Sequence, residues 1–213
     1  MSSVSQTSTE RLASGERIPA AERREQILAA ASRVFGERGY AGATTDQVAQ
    51  AAGISQPYVV RMFGSKENLF VEVLERALDK LMTVFRTVIE ESAAADETTD
   101  QRSARLGAAY ADLISDRGIL LSLMQAFTMG HEPTIGKVAR DGFLAIYSLL
   151  RTEGRFTADH VVDFLAHGML FNTLIALRMT DGIDDNALVS ELVACTFGAK
   201  LDTVLDAVAR AHP

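Results

Sequence analysis

Side chains that can read DNA stand close together in the short stretch QPYVVRMF. Gln56, Tyr58 and Arg61 are left on the outer side of a helix if Val59 and Phe63 pack inward with four-residue spacing. Glutamine can pair bidentately with adenine and arginine with guanine, while tyrosine and arginine also reach phosphate. These residue types therefore suit a helix that enters a major groove.

The helix that carries these side chains and the helix after it have clear starting signals. Ser55 can cap the first of them, and Pro57 falls in its first turn, where the missing N–H costs nothing. Ser65 can cap the next helix, and Glu67 lies near the positive end of that helix. Lys66 places a positive charge beside free N–H groups, so we expect it to contact a phosphate.

A further helix precedes this pair. Thr44 and Gln47 have the spacing of a capping box, and Gly53 ends the helix where a left-handed backbone is needed. Thr44 and Thr45 offer hydroxyl groups to phosphate at its start. Helix, tight glycine turn and helix form the layout of a helix-turn-helix DNA reader. The alternative is an amphipathic helical hairpin whose polar face is only solvated.

The rest of the chain also has helical periodicity and no convincing strand alternation, which predicts an all-α fold. Residues 1–19 are rich in Ser, Thr and charge and are expected to be a disordered arm. Residues 91–102 are polar and acidic and are expected to be a linker. The remaining helices are predicted at about 103–116, 118–130, 133–153, 157–180 and 185–211.

Charge and composition narrow the class of protein. The net charge is −7, but residues 1–80 are neutral, with ten basic and ten acidic side chains, so the acidity lies in residues 81–213. This asymmetry suggests two modules with different partners. A single cysteine, no signal peptide and no membrane-length apolar run predict a cytoplasmic protein that is not bound to a membrane. No catalytic, cofactor-binding or metal-ligand motif is present, so the sequence predicts neither an enzyme nor a cofactor.

The DNA-reading segment resembles a known family. The stretch REQILAAASRVFGERGYAGATTDQVAQAAGISQPYVVRMFGSKENLFVEVL, residues 24–74, is similar to the DNA-binding region of the TetR (tetracycline-repressor-like) family. The likeness includes FGERGY, TTDQVAQAAGIS and the SKE motif at fixed spacings. One position departs from the family pattern, because Val60 stands where members usually carry an aromatic residue that helps hold the DNA backbone.

The resemblance implies a helix-turn-helix DNA-binding domain over 20–66 and a helical ligand-binding and dimerisation domain over 67–213. It implies a homodimer, formed here through about 157–211, that binds a palindromic double-stranded DNA operator. It also implies release by an unknown small-molecule effector, as in a repressor. An activator of the same fold remains open, as do a helical ligand-binding protein with a vestigial DNA module and a helical enzyme.

Aromatic, methionine and isolated polar side chains of the second half are candidates for an effector pocket, although plain core packing is the favoured alternative for each of them. The candidates are Phe85, Tyr110, Met124, Gln125, Phe127, Phe143, Tyr147, His167, Phe171 and Asn172.

Overall fold

The computed structural model describes residues 19–114, 116–198 and 201. Within these ranges the chain forms nine α-helices, one short 3-10 helix and no strand, which confirms the all-α fold. The α-helices are α1 (Ala20–Gly42), α2 (Thr45–Ala51), α3 (Gln56–Phe63), α4 (Lys66–Ala94), α5 (Thr99–Ile114), α6 (Arg117–Thr128), α7 (Pro133–Thr152), α8 (Ala158–Ala176) and α9 (Ala187–Phe197). None of them is both long and apolar enough to cross a membrane. Apart from Pro19, the predicted arm lies outside the described residues.

Local signals position α2, α3 and the start of α4 as the sequence predicts. Thr44 and Gln47 form the reciprocal capping box of α2, and Ser65 Oγ accepts a hydrogen bond from the N–H of Asn68 at the start of α4. Gly53 has a φ of 65° in the turn between α2 and α3. The regular part of α1 breaks at Gly39, whose φ is 70°. Both angles lie in the left-handed region, where glycine is least strained.

The prediction of a linker over 91–102 is wrong. Helix α4 continues for 29 residues to Ala94, because Val88, Ile89 and Ser92 keep one of its faces buried. Helix α5 then starts after Thr98, which exchanges capping hydrogen bonds with Gln101. Only a short turn remains between the two helices, so the polar composition marks an exposed face rather than a flexible connection.

The last two predicted helices are shorter than expected. The helix predicted over 157–180 ends at Ala176, because Arg178 takes a left-handed φ of 56° and leads into a 3-10 helix at Met179–Gly182. The helix predicted over 185–211 ends at Phe197, where Gly198 has a φ of 52°. Most of the remaining predicted span lies outside the described residues.

A close crossing of α1 and α6 joins the first helices to the rest of the fold. Gly36 and Gly118 face each other there, so that a Cβ built on Gly36 would lie 3.3 Å from the Cα of Gly118. A Cβ on Gly118 would lie 2.6 Å from Ser32 Oγ and 3.0 Å from the Ser32 carbonyl carbon. Gln125 Nε2 also donates a hydrogen bond of 2.8 Å to the carbonyl oxygen of Phe35. The crossing therefore depends on two small residues and one polar tie.

Candidate nucleic-acid interface and inner cavity

Helix α3 buries one face and presents polar groups on the other. Val59 is fully buried and Phe63 is 4% exposed, as their spacing predicts. On the outer side, the guanidinium carbon of Arg61 lies 4.8 Å from the centre of the Tyr58 ring. Gln56 Nε2 donates a hydrogen bond of 3.2 Å to Thr45 Oγ1. The arrangement holds an amide, a phenol and a guanidinium along one short helix.

The other predicted DNA contacts lie at the starts of α2 and α3. Thr44 is exposed and its hydroxyl is the N-cap of α2. Ser55 occupies the N-cap position of α3, but its side chain makes no capping hydrogen bond. Pro57 is exposed in the first turn of α3. The structure thus brings Thr44, Thr45, Ser55, Gln56 and Pro57 to one end of the two-helix unit.

Lys66 has partners inside the protein. Its Nζ donates hydrogen bonds to the carbonyl oxygens of Tyr40 at 2.9 Å and Ala43 at 3.2 Å. The ammonium also lies 4.6 Å from the centre of the Tyr40 ring. Lys66 therefore ties the first turn of α4 to the chain that leaves α1. A DNA phosphate would have to compete with these carbonyl oxygens for the same ammonium group.

Arg24 of α1 and Val60 of α3 also shape the surroundings of the candidate interface, and only Val60 stands out in the sequence. Arg24 of α1 forms an ion pair with Glu72 and lies with its guanidinium carbon 4.7 Å from the Phe63 ring centre, so it braces the inner side of the helix. No spacing rule connects residues so far apart in the chain. Val60, the departure from the family pattern, is 38% exposed on α3. Its exposed side chain is aliphatic, where the family pattern has an aromatic one.

The helical half contains a largely apolar cavity between α4, α5, α6, α7 and α8. It has about 550 Å³ of unfilled space, part of which is open to solvent. Five of the ten predicted pocket residues line it: Phe85, Tyr110, Phe127, Phe143 and Asn172. A neighbouring groove between α5 and α8 has about 950 Å³ of space, much of it open. His167 and Phe171 line this groove together with Tyr110, which faces both spaces.

The other predicted pocket residues lie elsewhere. Met124 packs against the cluster formed by α5, α6, α8 and α9, and Tyr147 packs against the cluster around α4 and α7. Gln125 is used in the tie between α6 and α1. Sequence analysis missed the aliphatic part of the cavity wall, because leucines that line a cavity have the same helical spacing as leucines that fill a core. These residues are Leu78, Leu81, Leu123, Ile146, Leu165 and Met169.

Tyr110 and Asn172 form a polar pair in this apolar wall. The Tyr110 hydroxyl donates a hydrogen bond of 2.8 Å to Asn172 Oδ1. Burial raises the pKa of Tyr110 to about 12, because desolvation disfavours the charged phenolate. The phenol therefore stays protonated at neutral pH and keeps donating to Asn172.

An exposed apolar face runs along α8 and α9. Val162 and Leu170 of α8, Leu177 just after it, and Leu188 and Leu192 of α9 are all between 39% and 75% exposed. In the part of the chain that the structure describes, these are five of the seven large apolar side chains with substantial exposure. Large apolar patches of this kind mark association surfaces.

Comparison with known proteins begins with the DNA-reading segment. Residues 27–73 match the family model described as "Bacterial regulatory proteins, tetR family". This range contains α2, α3 and most of the side chains of the candidate interface. The match therefore covers the segment that the sequence pattern singled out.

Two curated relatives carry names of regulators. The chain is 43% identical over 95 residues to the HTH-type transcriptional activator FasR of Mycolicibacterium smegmatis, which covers 45% of this chain and 40% of FasR. It is 25% identical over 183 residues to the HTH-type transcriptional repressor AcnR of Corynebacterium glutamicum, covering 86% of this chain and 78% of AcnR. The chain thus matches less than half the length of FasR.

The solved structures include a TetR-family transcriptional regulator from Mesorhizobium loti. It aligns with a TM-score of 0.59 at 20% identity, over 87% of this chain and 96% of that protein. At this identity the likeness establishes the fold alone, and it extends through both the reading helices and the helical half. Residues 27–73 thus match the tetR family model, and the fold of most of the chain is similar to that of a TetR-family regulator.

Proposed function

We propose that this chain is a DNA-binding transcriptional regulator that reads a palindromic operator through α3. The observation that carries the proposal is the exposure pattern of α3, where Arg61 is exposed and Gln56 and Tyr58 are half-buried, while Val59 and Phe63 are buried. Gln56 and Arg61 contact base edges in the major groove, and Tyr58 contacts the backbone. Thr44, Thr45, Ser55, Pro57 and Lys66 lie around this helix and position it on the phosphates.

The regulator acts as a homodimer through α8 and α9. The apolar face that includes Val162, Leu170, Leu188 and Leu192 is too exposed for a lone subunit, and a second copy of the same face would cover it. Two α3 helices would then meet two half-sites about one helical turn apart, roughly 34–36 Å. The segment predicted to form the interface, about 157–211, contains this face.

A small-molecule effector binds in the apolar cavity and alters DNA binding. Leu123 and Phe127 of α6 line the cavity, while Gly118 and Gln125 of the same helix contact α1. An occupant that prefers one position of α6 therefore also favours one placement of the reading helices. Its effect on DNA affinity is limited to its own preference between the two states.

Repression released by the effector is the form of regulation we favour, in line with the name of AcnR, which aligns with most of this chain. The name of FasR makes activation the second candidate, and that likeness covers 95 residues. We place the DNA-binding domain at 20–66 and the effector and dimer domain at 67–213. The regulator works in the cytoplasm, where its operator is, and has no enzymatic step.

Selection of bound sites from a random double-stranded DNA pool tests this function. Effector-free protein at moderate salt should enrich a palindrome whose half-site centres are about 10 base pairs apart. In vitro transcription from a promoter that carries the palindrome then separates repression from activation. Recovery of unrelated sequences with no common motif would contradict the proposal.

A further inference from the structure

The polar pair in the cavity wall has an open donor. Asn172 is 3% exposed, and its Oδ1 is taken by the Tyr110 hydroxyl. Its amide nitrogen makes no hydrogen bond to any of the residues that the structure describes. Asn172 lines the cavity, so an occupant with an acceptor atom could take a hydrogen bond from this free N–H group. The apolar wall therefore contains one hydrogen-bond donor, and an occupant with an acceptor atom at that point would be favoured.

The same surroundings disfavour a negative charge. Among the described residues, neither the cavity nor the neighbouring groove is lined by a lysine or an arginine. The groove instead carries the carboxylates of Asp100 and Asp163. His167 faces it too, with Nε2 2.9 Å from the Thr196 carbonyl, so that this nitrogen carries the proton in the neutral ring. A buried carboxylate would lose its hydration, and no lysine or arginine of the lining would compensate for that loss.

A positive charge is not matched inside the cavity either. The wall there is aromatic and aliphatic, and its polar atoms come from Tyr110 and Asn172, neither of which is charged at neutral pH. Asp100 and Asp163 lie in the groove and are themselves solvent-exposed. Their attraction for a cation is therefore weakened by water. One hydrogen-bond donor in an apolar wall remains as the specific feature.

We propose that the effector is a neutral, mainly apolar molecule with a carbonyl oxygen that accepts a hydrogen bond from Asn172 Nδ2, as a large ketone or an ester would. Tyr110 acts as a positioning residue, because its hydroxyl holds Asn172 Oδ1 and leaves the amide nitrogen without a partner among the described residues. This inference rests on the proposed effector role of the cavity and specifies the chemistry of its occupant.

Four chain-matched probes test the chemistry: 2-dodecanone, 1-dodecene, dodecanoate and dodecylammonium. Each is used below its solubility limit, and the two charged probes also below their micelle concentrations, to displace the neutral dye N-phenyl-1-naphthylamine from the full-length protein. The ketone should displace the dye at a concentration about fivefold lower than the alkene, since one neutral hydrogen bond separates them. Both charged probes should need concentrations more than about tenfold higher than the ketone.

Two variants assign the effect to the pair. Tyr110→Phe together with Asn172→Leu removes both polar groups and leaves no orphaned hydroxyl, so ketone and alkene should displace the dye equally. Tyr110→Phe alone should reduce the ketone preference without abolishing it, because Asn172 keeps its N–H groups but loses the hydroxyl that holds its amide. Thr173→Val is the matched control, because its hydroxyl is bonded to the Met169 carbonyl on the exposed side of α8, and it should behave as wild type. Melting by circular dichroism verifies that each variant is folded.

The inference is overturned if dodecanoate or dodecylammonium matches the ketone, if the folded double variant keeps the ketone preference, or if no probe displaces the dye. None of these measurements uses DNA. An enriched palindrome without ketone preference would leave the regulator standing and remove this effector class. A ketone preference without any selected DNA site would support the effector class and contradict the proposed DNA-binding function.

Discussion

The reading unit, residues 44–66, and the cavity half, helices α4 to α8, show two ways in which a helical chain can build a site. The candidate DNA contacts all fall within 44–66, in or beside α2, α3 and the first turn of α4, and local side chains cap the starts of α2 and α4. The cavity wall draws on residues from Leu78 to Asn172, which meet only when five helices pack together. A convex site is therefore encoded by neighbours in sequence, whereas a concave one is encoded by tertiary packing.

Disruption of the dimer should cause the largest loss of DNA affinity. Leu188→Glu with Leu192→Glu places two charges on the exposed face of α9, so we expect a folded monomer. Its affinity for the selected palindrome should fall by about a hundredfold or more, because the two readers are no longer linked. Sedimentation equilibrium and fluorescence anisotropy measure the two results. Leu144→Glu, on an equally exposed leucine of α7, is the control, and a double variant that stays dimeric would refute the interface.

A larger side chain at the crossing of α1 and α6 should lower the stability of the fold. Gly118→Val forces a side chain against Ser32 of α1, and overpacking of this kind costs about 2 kcal/mol. The melting temperature should therefore fall by about 4–8 °C, as followed by circular dichroism. Gly130→Ala meets nothing closer than 3.8 Å and should melt almost as wild type does. Equal melting of both variants would mean that the crossing is not tight.

Lys66 can be assigned to the fold, to DNA or to both. Lys66→Ala removes the donor from the carbonyls of Tyr40 and Ala43 and should lower the free energy of unfolding by about 1–2 kcal/mol. We also expect weaker binding to any DNA sequence and a log-affinity slope against salt that is shallower by about 1. Lys137→Ala, on the exposed side of α7, is the control. An unchanged slope would remove Lys66 from the phosphate contacts.

Ser55 and Ser65 both occupy N-cap positions, but only the hydroxyl of Ser65 caps its helix. Ser65→Ala should lower the free energy of unfolding by about 1 kcal/mol, because its hydroxyl caps α4. Ser55→Ala should leave stability unchanged, since its hydroxyl does not cap α3. Any loss of DNA affinity in Ser55→Ala then reports a direct contact. Chemical denaturation compares the two, and an equal loss of stability in both would contradict the assignment.

Sequence reasoning succeeds where the physics is local. The capping box at Thr44, the left-handed Gly53 and the inward-facing Val59 could all be predicted, because each depends on residues a few positions apart. The linker at 91–102 was misread, because exposed charges on a helix and in a loop look alike. The contact of Gly36 with Gly118 and the aliphatic cavity wall could not be predicted, since both arise only when distant helices meet.

The most direct test of the account is a base-pair scan of the selected operator with wild type and Arg61→Ala. Affinities are measured for duplexes in which each base pair is replaced symmetrically, with Arg86→Ala of the helical half as the control. The account predicts a loss of about 1–3 kcal/mol and lost discrimination at one base pair per half-site in Arg61→Ala alone. A uniform loss across all duplexes would make Arg61 a phosphate contact, and an unchanged scan would show that another surface reads the DNA.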